Sequence, residues 1–121
     1  MVDDSSGYND LEEVSASEIL AKIEKGEPVE YDRIRIKGEL DLSKLDLPME
    51  QVARTEFQIK RLGLPDEYKV VSSSIMIKNS TFDAKVNFSN CFFRSRVSFN
   101  NTTFSGNADF KGAIFNEGDT F

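Results

Sequence analysis

Histidine and tryptophan are missing from this 121-residue chain, and cysteine occurs once, as Cys91. Without histidine the commonest general base and imidazole metal ligation are both excluded. A lone cysteine rules out an internal disulfide framework and a cysteine-rich zinc site. No apolar run approaches the roughly 20 residues that span a bilayer. The start, Met1-Val2-Asp3-Asp4, is acidic and polar, unlike a secretory signal. No glycine-rich phosphate loop occurs, and Asp83, Asp109, Glu117 and Asp119 are too scattered to form an acid/base pair. The expectation is therefore a non-catalytic chain with no cofactor, no metal and no membrane segment, located in the cytoplasm.

What the chain does contain is unevenly distributed. Its net charge of −6 belongs to the N-terminal end. Residues 1–30 carry nine acids against Lys22 and Lys25, residues 31–70 balance, and residues 71–121 are slightly basic. Of ten phenylalanines, nine lie at or after Phe82. A skew of that kind calls for a search for repeats.

Residues 1–12 are polar and predict a disordered leader. A helix start follows. Ser15 is a good N-cap, Glu18 three residues later completes a capping box, and Val14 with Ile19 fits a hydrophobic staple. Ile19, Leu20 and Ile23 make one apolar stripe, and Gly26 and Pro28 end it. These signals predict a helix at about 16–25 within an N-terminal cap of residues 13–28.

From Tyr31 the period changes. Phe82, Phe88, Phe93, Phe99, Phe104, Phe110, Phe115 and Phe121 are separated alternately by six and five residues. Ile77 and Val71 extend the series backwards, and Tyr31, Ile36, Leu42 and Leu47 repeat it at steps of 5, 6 and 5. Two residues before each Phe lies a small or β-branched residue: Ser80, Val86, Cys91, Val97, Thr102, Ala108 and Ala113. In extended chain, positions i and i−2 share a side, so Cys91 is expected inside as a small hydrophobe. Steps of 5 and 6 leave no single face on a helix, and a step of 5 reverses the face of a strand. The chain must bend between successive Phe residues, and Asn, Gly, Ser and Asp supply the turns.

Ala108-Asp109-Phe110-Lys111-Gly112-Ala113-Ile114-Phe115 and Val97-Ser98-Phe99 resemble the pentapeptide-repeat family, in its Phe-rich variant with alternating five- and six-residue units. Asn87-Phe88 and Asp109-Phe110 keep the polar residue before the centre. Thr81, Ser98, Thr103 and Ile114 depart from it. The resemblance covers 71–121 well and 29–47 weakly. It implies an all-β solenoid, a right-handed quadrilateral β-helix, here with an N-terminal capping helix. Four successive units, of 6, 5, 6 and 5, close one coil. Phe82 is then expected to stack on Phe104, Phe88 on Phe110, Phe93 on Phe115, and Phe99 between Ile77 and Phe121, with coils about 4.8 Å apart. The expected structural core is Tyr31, Ile36, Leu42, Leu47, Val71, Ile77, Phe82, Phe88, Phe93, Phe99, Phe104, Phe110, Phe115 and Phe121. Residues 29–47 form a first coil and residues 71–121 the repeat coils. Between them Pro48, Gly63 and Pro65 punctuate an insertion at 48–70, with a short helix after Pro48 and then a strand or hairpin. Its Val52, Phe57, Ile59, Leu62 and Leu64 are expected to cover the side of the solenoid.

Some members of that family imitate DNA with an acidic rod and bind type II topoisomerases. The resemblance thus raises that activity, but it requires negative charge along the solenoid, which here is slightly basic. Lys85, Arg94 and Arg96 make only a small basic patch without surface aromatics, so nucleic acid is not the expected partner. Related Phe-rich repeats are sometimes fused to membrane channel segments. The preferred expectation is a structural or protein-interaction module, alone or as the N-terminal part of a longer protein. Its expected partner is another protein or a second copy meeting its C-terminal coil.

Overall fold

The computed structural model describes residues 11–51, 56, 60–63 and 67–115. The expected leader up to residue 10, the insertion residues Val52, Phe57, Ile59 and Leu64, and the core position Phe121 lie outside the described residues.

The chain opens with strand β1, Glu12–Ser15, and helix α1, Ala16–Lys25. Ser15 caps the helix, its side chain accepting a bond from the Glu18 amide at 3.3 Å. Gly26 closes it in the left-handed region at φ 75°. The Gly26 and Glu27 amides donate to the carbonyls of Ile23 and Lys22, satisfying two of the carbonyls that a helix end otherwise leaves open. The Glu18 side chain departs from the expected capping box. Its carboxylate accepts the Tyr31 hydroxyl instead of the Ser15 amide. The helix buries Ala16, Ile19 and Ile23.

Short strands follow: β2 Val29–Asp32, β3 Ile34–Lys37, β4 Leu40–Asp41, a 3₁₀ turn at Leu42–Lys44, β5 Met49–Gln51 and β6 Glu67–Val71. Eight more complete the described chain: β7 Ile75–Lys78, β8 Thr81–Phe82, β9 Val86–Asn87, β10 Cys91–Phe93, β11 Val97–Ser98, β12 Thr103–Phe104, β13 Ala108–Asp109 and β14 Ile114–Phe115. They sort into four sheets, ordered β1-β3-β8-β12, β13-β9-β4, β14-β10-β6-β5 and β11-β7-β2. From β6 onward the chain visits these sheets in one fixed rotation. Every pairing is parallel except that of β5 with β6. Among the described residues the result is a mostly parallel β-helix with α1 beside its first coil.

The register reveals the period. Val97 pairs with Ile75, Thr103 with Thr81, Ala108 with Val86 and Ile114 with Phe92, all at the same offset of four units. Against the first coil the offset is larger: Ile75 lies on Val29, Phe82 on Ile36, Val86 on Leu40. The additional stretch falls between β4 and β6, because Phe93 pairs with Val71 at the four-unit offset again. Directly after Pro48 the structure has β5, antiparallel to β6 with Met49 opposite Lys69, and further along the expected insertion the described residues Glu56 and Lys60 are helical. At the end of the molecule nearer the first coil, β1 borders one sheet, β5 another, and α1 packs on β2 and β4.

The interior is a column of rings. Phe82, Phe88, Phe93 and Phe99 are at most 1% exposed. Phe82 stacks on Phe104 with centroids 5.0 Å apart and planes within 2°, and Phe93 on Phe115 at 4.8 Å and 1°. Both separations match one inter-strand step. Phe88 meets Phe110 at 5.5 Å but tilted by 53°. Within a level, Phe82 meets Phe99 and Phe88 meets Phe93 edge to face, an arrangement the ring quadrupole favours.

Candidate interaction surface

The central positions of the repeat fall as follows. Ile36, Leu42, Leu47, Val71, Ile77, Phe82, Phe88, Phe93 and Phe99 are buried. Tyr31, Phe104, Phe110 and Phe115 are half-buried and pack against that core. Burial thus falls away at the last described coil, where the alternate inward position Ala108 is also exposed. Tyr31 reaches out of the column. Its hydroxyl bonds to Glu18, and the Lys22 ammonium lies over its ring at 4.8 Å. Burial, together with that bond to Glu18, pushes the phenol's pKa up against the opposing pull of Lys22.

Most five-residue steps share one kind of corner. They turn through a left-handed residue two places after the centre, Arg33, Asn79, Asn90, Asn101 or Gly112, with φ between 51° and 73°, whereas the step from Leu42 to Leu47 runs through the 3₁₀ turn. Asparagine or glycine adopts the left-handed conformation readily. Arginine does not, and a non-glycine residue held there costs about 1–2 kcal/mol. Along the corner between β2 and β3 the side chains form a ladder. Asn101 Nδ2 donates to Asn79 Oδ1 at 2.8 Å, and Asn79 Nδ2 to Asp32 Oδ1 at 3.0 Å. At the opposite corner Asn90 sits one coil below Gly112, and its buried Oδ1 has no partner.

A second ladder runs through β4, β9 and β13, where Asp41, Asn87 and Asp109 are stacked in register. Each side chain accepts from the backbone two residues on, at Ser43, Ser89 and Lys111. The polar residue before the centre is thus a turn former, with a structural purpose. Asp41 is the buried member. Burial alone would raise its carboxyl pKa, but the Ser43 hydroxyl and amide, aided by Lys44 and Lys85, hold it below the usual carboxylate range.

Other chemistry-bearing groups are similarly committed. Cys91 is buried on the inward side, and burial pushes its thiol up to about 11 despite Lys69 nearby, so it is a packing residue rather than a nucleophile. Lys69 donates to the carbonyls of Leu42, Ser43 and Leu45, terminating the 3₁₀ turn. Among the described residues no cluster of His, Cys, Asp and Glu could hold a metal ion. The outward ladders mix signs: Asp83 pairs with Arg35 and Lys37, and Asp32 lies in register with Lys78.

Two shallow grooves flank the asparagine ladder. One, of about 510 Å³, lies over the outer side of β2, β7 and β11 and includes Glu30, Met76 and Lys78. The other, of about 260 Å³, is lined by Leu11, Arg33, Asn79, Ser80, Thr81, Asn101 and Thr103. Phe92, outside the five-and-six series, faces outward. It stacks on Tyr68 at 5.2 Å, lies beneath Arg94, and shares its register column with Val70 and Ile114. No signal of period five or six marks it. No helix among the described residues is long and apolar enough to cross a membrane.

Residues 77–121 match the family described as pentapeptide repeats (9 copies). Neither a curated protein nor a solved structure matches the chain.

Proposed function

We propose that this pentapeptide-repeat chain is a non-catalytic structural or protein-interaction module, coiled as a right-handed, four-sided β-helix, that meets another polypeptide through its C-terminal coil. Pentapeptide repeats are generally interaction or structural modules without catalysis, and the match over residues 77–121 supports that reading here. The four sheets visited in rotation support the four-sided form. The strong right-handed preference of parallel strand connections supports the hand. In this reading residues 13–28 cap one end, 29–47 form the first coil, 48–70 are an insertion, and residues 71–121 carry the repeats around the column of central residues.

One observation carries the docking. Phe104, Phe110 and Phe115 are half-buried while the rings one coil below them are sealed. Strands β12 and β13 are each outermost in a sheet, with an edge that pairs with no described strand. An open edge beside partly exposed aromatics is a template for another strand. The opposite end is covered by α1, β1 and β5, so docking there is disfavoured. The partner is another protein or a second copy. Light scattering between micromolar and millimolar concentration tests the second copy: mass rising with concentration supports it. A clean monomer at the highest concentration removes self-association, and a Phe115→Ala variant that associates as tightly as the parent removes the C-terminal coil as the contact.

A further inference from the structure

At one position the chain departs from its own turn rule. Along the corner between β2 and β3 the left-handed residues are Arg33, Asn79 and Asn101. The last two are residues that favour that backbone, whereas Arg33 is not. Strain kept at a surface position invites the question of what the side chain does there. Arg33 is exposed, and its side chain borders the 260 Å³ groove. Ion pairs among the described residues involve Arg35, Lys37, Lys60 and Arg94, and Arg33 takes part in none. In a chain of net charge −6, the groove's lining among the described residues contains one cation and no carboxylate. Asp32, next to Arg33 in the chain, is already engaged by Asn79, and Glu12, whose amide donates to the Arg33 carbonyl, forms no ion pair with Arg33.

The remaining lining is rich in donors. Thr81 and Thr103 lie one above the other in register. The amides of Asn79 and Asn101 each spend one N–H on the ladder, and a primary amide has a second. The volume is below the roughly 300–1,000 Å³ of small-molecule pockets, so the groove suits a single side chain. One cation matches one negative charge, and the guanidinium fork fits a carboxylate through two parallel bonds.

We propose that this groove is a carboxylate-binding site, anchored by Arg33, for a Glu or Asp side chain of a partner polypeptide. The proposal rests on the protein-interaction reading but uses a different surface from the C-terminal coil. Titrating the full ¹⁵N-labelled chain with an acetyl-Ser-Glu-Ser-amide peptide is expected to shift the Arg33 Nε–H and the Asn79 and Asn101 side-chain amides saturably. The Gln counterpart of the peptide is expected to leave them unmoved, and inorganic phosphate to bind more weakly. Arg33→Asn should weaken the peptide at least tenfold while raising Tm by a few degrees, because asparagine suits the backbone there. Arg33→Lys should retain part of the binding. The proposal is overturned by an absent or non-saturable shift, by an Arg33→Asn variant that binds unchanged, or by phosphate binding more tightly. It is overturned also if deleting residues 2–10 unmasks binding that the full chain lacks, since the groove would then hold the chain's own acidic leader. Light scattering on Arg33→Asn keeps the two ideas apart: self-association through the C-terminal coil is expected to survive that substitution.

Discussion

Replacing a core ring by alanine should cost very different amounts at two levels of the same column. Phe88 is fully buried, with Phe93, Phe99 and Phe110 at 5.5, 5.8 and 5.5 Å. Removing a buried Phe side chain costs about 3–5 kcal/mol, the lost transfer energy together with the cavity left behind. That is a large share of the roughly 5–15 kcal/mol that holds a domain together. Phe110 is half-buried and touches Phe104, at 6.2 Å, and Phe115, at 6.0 Å, besides Phe88. With about half the apolar area removed from water, its loss should cost about 1–2 kcal/mol. Because each coil touches only its neighbours, the two losses should also spread differently. Hydrogen exchange reads this directly. Phe110→Ala should speed exchange at the Val86, Phe88 and Asn90 amides, which donate to Asn107, Asp109 and Lys111 of the next coil. It should leave the Val29 amide, bonded to Ser74 two levels away, nearly as protected as before. Phe88→Ala should weaken both sets, with a urea midpoint well below that of Phe110→Ala. Equal costs, or equal loss of protection at Val29 in both variants, would refute the column of nearest-neighbour contacts.

Three further substitutions probe the corners and the second ladder. A Cβ at Gly106 would lie 2.9 Å from the Ala84 carbonyl carbon and 3.1 Å from the Lys85 nitrogen. Since both are backbone atoms of the coil below, Gly106→Ala is expected to destabilise by about 1–3 kcal/mol in urea melts, and a neutral outcome would mean the coils are less closely stacked. Gly112→Asn should place an amide above the unpartnered Asn90 Oδ1, continuing at this corner the ladder seen at Asn79 and Asn101. A gain of about 0.5–1.5 kcal/mol is expected, and a loss would show that the corner has no room for a side chain. Asp41 has a folded-state pKa below its ordinary value, so its contribution is present above the unfolded value of about 3.9 and is lost as pH falls through the folded value. Asp41→Asn should therefore cost about 1 kcal/mol near pH 7, with the gap to the parent closing below pH 4. A gap that widens in acid would contradict the assigned shift.

The repeat was legible because a narrow column admits one large side chain per side, so each turn of the chain leaves a mark at fixed spacing. The one-coil register of Phe82 on Phe104 and of Phe93 on Phe115 follows from that spacing together with the four units per coil that the family resemblance implies. The helix ends were legible for a similar reason, since Ser15 and Gly26 each perform one local backbone task. Other features depend on contacts between distant segments and leave no periodic trace. Strand β1 exists because Glu12–Ser15 finds the edge of β3, and β5 because Met49–Gln51 finds β6. Glu18 turns from its cap toward Tyr31, thirteen residues on, because that hydroxyl comes within reach only in the fold. Arg33 was hidden for the opposite reason. Residue preference argues against a left-handed arginine, and only the stacking of Arg33 under Asn79 and Asn101 reveals that the turn is the same one. Phe92 breaks the pattern because it serves the outer face, against Tyr68.

The account stands on rings being piled one coil above the next. A NOESY spectrum of the chain with selectively labelled phenylalanine measures this most directly. Strong ring-to-ring cross-peaks are expected between Phe82 and Phe104 and between Phe93 and Phe115, whose centroids lie 5.0 and 4.8 Å apart. The edge-to-face neighbours Phe99 of Phe82 and Phe88 of Phe93 should also appear, and the absence of both stacked pairs would contradict the account.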